Sequence, residues 1–127
     1  MKLSALEELE ARSLSQMFKA LGDENRIRIV ALLAHGELCV GHLQEALELT
    51  QSNTSRQLGI LFAAGVVERR RERNWVYFRL ASGPDKLCKR QIRALSRSFA
   101  KLGTLKKDVE RLLKTKGSSP ANSGSGA

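Results

Sequence analysis

Apolar positions recur three and four residues apart through most of the first 65 residues, the period of helices that bury one face. In SALEELEARSLSQMFKA (4–20), Leu6, Leu9, Leu14, Met17 and Phe18 share a face, Ser4 offers an N-cap and Gly22 ends the run. Asp23 then caps ENRIRIVALLAH, where Ile27, Val30, Ala31 and Leu33 predict a second, largely buried helix closed by Gly36. CVGHLQEALEL (39–49) predicts a short third helix with Val40, Leu43 and Leu47 turned inward, and Thr50 opens a fourth over QSNTSRQLGILFAAG. In the fourth, Thr54, Leu58, Leu61 and Phe62 form the inner stripe and Gly65 marks the end.

The outer face of that fourth helix carries candidate chemistry. Gln51, Ser52, Asn53, Ser55, Arg56 and Gln57 crowd short or forked hydrogen-bonding side chains into its first two turns. A helix lying in the major groove presents such groups to base edges, although an ordinary polar first turn would carry them too. A short helix, a brief turn and a second helix with this face favour a helix-turn-helix.

Beyond Gly65 the period falls to two. VVERRR (66–71) and WVYFRL (75–80), joined by Glu72-Arg73-Asn74, predict a β-hairpin. Arg69, Arg70, Arg71 and Arg73 on such a wing suit phosphate or minor-groove contact. Trp75, Tyr77 and Phe78 are candidate base-stacking platforms, with packing on the core the simpler role. From Asp85 to about Lys114 the period is helical again, and Leu87, Ile92, Leu95, Phe99, Leu102, Leu105, Val109 and Leu112 draw one long seam, bent at Gly103. A seam of that length is expected to pair with the first helix and with a symmetry mate. The expected fold is mainly α with a small β-hairpin wing: a winged helix-turn-helix over residues 1–115, dimerising through its first and last helices. A disordered Gly/Ser-rich tail is expected over 116–127.

Length and charge narrow the function. A chain of 127 residues makes one domain. No apolar run approaches ~20 residues and no signal peptide is evident, so a soluble, cytoplasmic protein is expected, with no membrane partner. The net charge of +9 is uneven: residues 1–48 carry −3, residues 49–82 carry +4 and residues 83–127 carry +8. Double-stranded DNA is a fitting partner for the second half, because Lys and Arg gain affinity by displacing condensed counterions. A solvated basic helix, or one gripping an acidic protein, would share the charge but leave the polar face of the fourth helix unexplained. With no Gly-rich phosphate loop and no defensible Ser/His/Asp arrangement, an enzyme is not expected. The candidate DNA-contacting residues are therefore Gln51, Ser52, Asn53, Ser55, Arg56, Gln57, Arg69, Arg71 and Arg73.

FKALGDENRIRIVALL, GELCVGHLQ and LTQSNTSRQLGILFAAGVVERRRERNWVYFRL, in this order from Phe18 to Leu80, resemble the ArsR/SmtB family of winged helix-turn-helix repressors. The resemblance implies a homodimer that occupies an inverted-repeat operator and leaves it when an inducer binds. Arsenic-sensing members carry ELCVCDL where this chain has ELCVGHL: Cys39 keeps the first thiol and Gly41 replaces the second. Residues 85–114 contain no histidine for the zinc site the family places on the terminal helix, and no cysteine precedes Cys39. Cys39 and Cys88, within or across chains, are left as a candidate thiol pair for As(III), another soft ion or an oxidant. Lys86, Lys89 and Arg90 around Cys88 favour its thiolate. Inert packing of both thiols, and a zinc site built from Cys39, His42 or His35, are the alternatives. No cofactor is expected to be required, with As(III) or another soft ion entering only as an inducer.

Overall fold

The computed structural model describes residues 5–81 and 86–117. In chain order they form α1 (Ala5–Ala20), α2 (Glu24–Leu33), β1 (Leu38–Cys39), α3 (Val40–Leu47), α4 (Gln51–Ala63), β2 (Val67–Glu72), β3 (Trp75–Leu80), α5 (Lys86–Ala100) and α6 (Gly103–Gly117). The expected helical body with a small β wing is present. The sheet has a third strand that the sequence did not announce: its order is β1-β3-β2, all antiparallel, with Leu38 opposite Phe78 and Cys39 opposite Tyr77. Two residues are too few to show alternation. Cys39 accordingly has extended backbone and α3 begins one residue later than the sequence suggested.

Helix α2 is the centre of the body. Ile29 to Leu33 are buried on every side, packed with Met17, Leu43, Leu47, Leu58, Leu61, Val66, Ile92 and Leu112. Each such aliphatic side chain contributes roughly 1.5–3 kcal/mol by leaving water. The helix entries are fixed by side-chain caps. Asp23 accepts from the Arg26 backbone N–H at 3.2 Å, and Thr50 Oγ1 accepts from that of Asn53 at 3.1 Å. Thr54, buried in the stripe of α4, satisfies its hydroxyl by donating to the Thr50 carbonyl at 2.8 Å. Replacing Thr50 by Ala removes one cap at the entry of α4, and a loss of about 1 kcal/mol is expected in urea unfolding.

Two aromatic residues are not where spacing put them. Phe18, placed on the inner face of the first helix, is 56% exposed, and Phe62, placed on the inner stripe of α4, is 40% exposed. Met17, Ala20 and Leu21 occupy the buried side of α1 instead. The Arg69 guanidinium covers the Phe62 ring, 4.2 Å from its centroid, which fastens the root of the wing to the end of α4.

The long terminal seam is also revised. Lys101 and Leu102 close α5 with short backbone bonds back to Ser98 and Phe99, and α6 starts anew at Gly103. Glycine in a helix interior costs about 1 kcal/mol, so a break there is cheap. Helix α6 then packs on α3 and α2 of the same chain, burying Leu105, Asp108 and Leu112. The last third of the seam is therefore taken up internally and is not free for a symmetry mate. The Ser4 cap, the side chains of Leu6 and Leu9, the start at Asp85, the Leu87 side chain and positions 118–127 of the expected tail lie outside the described residues.

A buried ionic network fixes α6 in place. Asp108, with its side chain 3% exposed, accepts from Arg28 through both oxygens at 2.8 and 2.9 Å and from Arg111 at 2.5 Å. The same two guanidinium groups reach the end of α3: Arg28 donates to the Leu47 carbonyl at 2.8 Å and Arg111 to the Ala46 carbonyl at 2.7 Å. Those carbonyls lie in the last turn of a helix, where intrahelical donors run out. Arg111 also pairs with Glu48, whose left-handed backbone ends α3 (φ 55°).

Candidate nucleic-acid interface

Helix α3, the turn Glu48–Thr50 and α4 form the helix-turn-helix, and the first two turns of α4 face outward. Gln51, Ser52, Ser55 and Arg56 are exposed and Asn53 is half-buried. Gln57 is not part of that face. It is 5% exposed, accepts from Arg26 Nη1 at 2.8 Å and donates to Asn53 Oδ1 at 3.0 Å. Arg26 in turn donates from Nε to the Ala20 carbonyl at 2.5 Å. This chain of bonds runs from the end of α1 through α2 into α4, and Arg56 completes it by donating to Asn53 Oδ1 at 3.1 Å. Gln57 is thus a positioning residue under the outer face, and the expectation that it touches bases is corrected. Asn53 Oδ1 thus accepts from two donors, Arg56 and Gln57.

The wing arginines divide into two sets. Arg70 is held by Glu37, with bonds of 2.6 to 2.9 Å, and by Glu72 at 2.9 Å, and it lies over the Tyr77 ring at 4.6 Å. The bonds to Glu37, then those to Glu72, push its pKa above the ordinary arginine value. Arg69 is spread on Phe62. Arg71 donates only to the Arg73 carbonyl, at 3.3 Å, and Arg73 has no side-chain partner among the described residues. Both are exposed at the tip, where Arg73 has a left-handed backbone (φ 56°) in the turn between Glu72 and Trp75. Of the three candidate stacking rings, Phe78 is in the core, Tyr77 lies under Arg70 and Trp75 is half-buried with its indole N–H unpartnered. None is a bare platform.

Of the two cysteines, only the side chain of Cys39 is among the described residues. Cys39 is 2% exposed and free, its backbone paired with β3. A Cβ built on Gly41 would stand 3.9 Å from Cys39 Sγ, an ordinary contact, so residue 41 adjoins the thiol and supplies nothing to it. Cys88 lies on α5, but its side chain is outside the described residues, as are those of Lys86 and Lys89. His42 is buried and His35 is exposed. Among the described residues no group of three or more His, Cys, Asp or Glu is placed to hold a metal ion. None of the described helices is long and apolar enough to cross a membrane.

Residues 23–69 match the family described as bacterial regulatory protein, arsR family. The arsenic resistance transcriptional regulator ArsR1 of Pseudomonas putida is 49% identical over 65 residues, which are 50% of this chain and 51% of that protein. The transcriptional activator HlyU of Vibrio cholerae is 37% identical over 82 residues, covering 65% and 75%. The solution structure of a homodimeric winged helix-turn-helix DNA-binding domain from Mycobacterium bovis, a possible ArsR-family transcriptional regulator, superposes with a TM-score of 0.63 at 32% identity. That match covers 77% of this chain and 87% of the other. The aligned stretch spans about half to two-thirds of the length of the curated arsenic and biofilm regulators it matches.

Proposed function

Because the chain belongs to the arsR family of bacterial regulatory proteins, we propose that it is a transcriptional repressor that binds an inverted-repeat DNA operator as a homodimer. The observation that carries this reading is the outer face of α4, where Gln51, Ser52, Asn53, Ser55 and Arg56 sit on a helix whose other side is locked into the core. Base edges in the major groove are read by such side chains. Arg71 and Arg73 at the wing tip, free of carboxylate partners among the described residues, supply the phosphate contacts that set register. With α6 folded back on its own chain, α1 and α5 are the surfaces for the two-fold mate.

Two inducers are compatible with this reading. As(III), which we assign to Cys39 with Cys88, is the inducer suggested by the name of the Pseudomonas putida relative, an arsenic resistance regulator. A small organic molecule is supported by the burial of Cys39 and the bare backbone of Gly41 beside it. Under the first, arsenite releases the wild type from DNA and Cys39→Ser abolishes that release; under the second, arsenite releases neither protein.

A mobility-shift salt series on an operator selected from random-sequence DNA tests the DNA reading. Each neutralised phosphate adds about −0.9 to the slope of log affinity against log salt. Replacing Arg71 and Arg73 by Ala is expected to flatten that slope by about two, with selectivity for the operator kept. A salt-independent affinity would sink the proposal. Transcription from an operator-bearing promoter that falls, rather than rises, when the protein is removed would make it an activator.

A further inference from the structure

A cleft of about 360 Å³ lies between the first turns of α2 and α6, at the low end of the ~300–1,000 Å³ typical of small-molecule pockets. Ile27, Leu102 and Leu105 give it an apolar floor, and Leu102 is 51% exposed there. Glu24 and Lys107 stand on the rim, and the inner wall is the Arg28–Asp108–Arg111 network. The lining thus carries three cations against two carboxylates, and Lys107 has no ion-pair partner among the described residues. An uncovered leucine beside an unpaired lysine suits a ligand with an apolar body and one anionic head.

We propose that this cleft binds a small amphiphilic carboxylate, an aryl or short-chain fatty acid anion, and that its occupation is relayed through Arg28 and Arg111 to the end of α3. The apolar body covers Ile27, Leu102 and Leu105, and the carboxylate meets Lys107 at the rim and the guanidinium groups behind it. Asp108 already accepts from both arginines, so a second anion competes for them. Whatever draws Arg28 or Arg111 into the cleft withdraws it from the Leu47 or Ala46 carbonyl. Helix α3 then loses part of its C-terminal anchoring, and through the left-handed Glu48 and the Thr50 cap the change reaches α4. A ligand bound more tightly by the conformer with displaced α4 lowers DNA affinity by the same factor, commonly 5–150-fold in such couplings. The effect on DNA rests on the repressor reading above; the binding itself does not.

Calorimetry and thermal unfolding of the full chain with benzoate, phenylacetate and octanoate, beside their neutral amides, test the site. At least one acid is expected to bind and raise the Tm, with its amide weaker. Lys107→Gln, an exposed change, weakens the acid about threefold to fivefold and leaves the amide alone. Leu102→Ser weakens acid and amide alike and reduces the gain from a longer apolar body. No heat and no Tm change with any of the acids overturns the proposal, and so does binding that ignores both substitutions. Binding that follows both substitutions but leaves operator affinity unchanged overturns the relay. If the chain binds no DNA the repressor reading falls, while the calorimetry still decides the cleft.

Discussion

Asp108→Ala is expected to lower the unfolding free energy by ~2–3 kcal/mol in urea denaturation, a shift of roughly 30- to 150-fold in the folded-to-unfolded ratio. The carboxylate is 3% exposed and is the shared acceptor of two guanidinium groups. Its removal strands Arg28 and Arg111 while they still face the ends of α3. Truncating one partner of a fully buried pair costs ~3–5 kcal/mol, and the partial exposure of both arginines places this case lower. Asp108→Asn keeps the shape and one acceptor, so about half the loss is expected. The hydrogen bond to Asp108 raises the Arg28 pKa above the ordinary arginine value, opposed by burial and aided by the charges of Asp108, Glu24 and Glu48. A raised cation contributes stability that is complete below its unfolded value and disappears only as pH climbs through the higher folded one. Stability is accordingly expected to show no loss from this guanidinium between about pH 7 and pH 10. A loss under ~0.5 kcal/mol for Asp108→Ala, the range of surface changes, would mean that α6 is not tied to the body.

Arg56→Ala is the second large effect, now on recognition. The side chain is exposed on the outer face of α4 and donates to Asn53 Oδ1, which orients its fork before any DNA arrives. A bidentate arginine contact to a base is worth ~1–3 kcal/mol of discrimination. Competition shift assays with operator and scrambled DNA are expected to show that loss on the operator alone, with relaxed preference at one base position. Arg73→Ala on the wing should weaken both DNAs alike. Equal losses on the two DNAs for Arg56→Ala would remove α4 from the role of base reader.

Helices α1 to α4 were legible in the sequence because caps and apolar spacing agree there, with Asp23 and Thr50 standing where the structure uses them. The misplacements came from letting residue type outvote spacing. Positions 54, 57, 58 and 61 make the inward stripe of α4 at three- and four-residue steps, yet glutamine at 57 was read as a surface residue and phenylalanine at 62 as core. Asp108 repeats the lesson: it lies between Leu105 and Leu112 on the buried stripe of α6, and only its arginine partners, one of them eighty positions away, make that position tolerable. Long-range pairing of this sort leaves no local signal. The polar face of α4 and the wing arginines were legible as a set, but the engagement of Arg70 by Glu37 depends on the fold bringing the loop before β1 to the wing.

The small strand β1 has a consequence for the order in which the chain folds. Strands β2 and β3 meet across a two-residue turn, a local pairing that forms on the microsecond scale of hairpins. Leu38 and Cys39 reach the free edge of β3 only by closing a loop of roughly forty residues, an entropic cost paid before any bond rewards it. That loop contains the whole helix-turn-helix. The third strand is therefore expected to dock after α3 and α4 have condensed on α2, joining hairpin and helices late in folding.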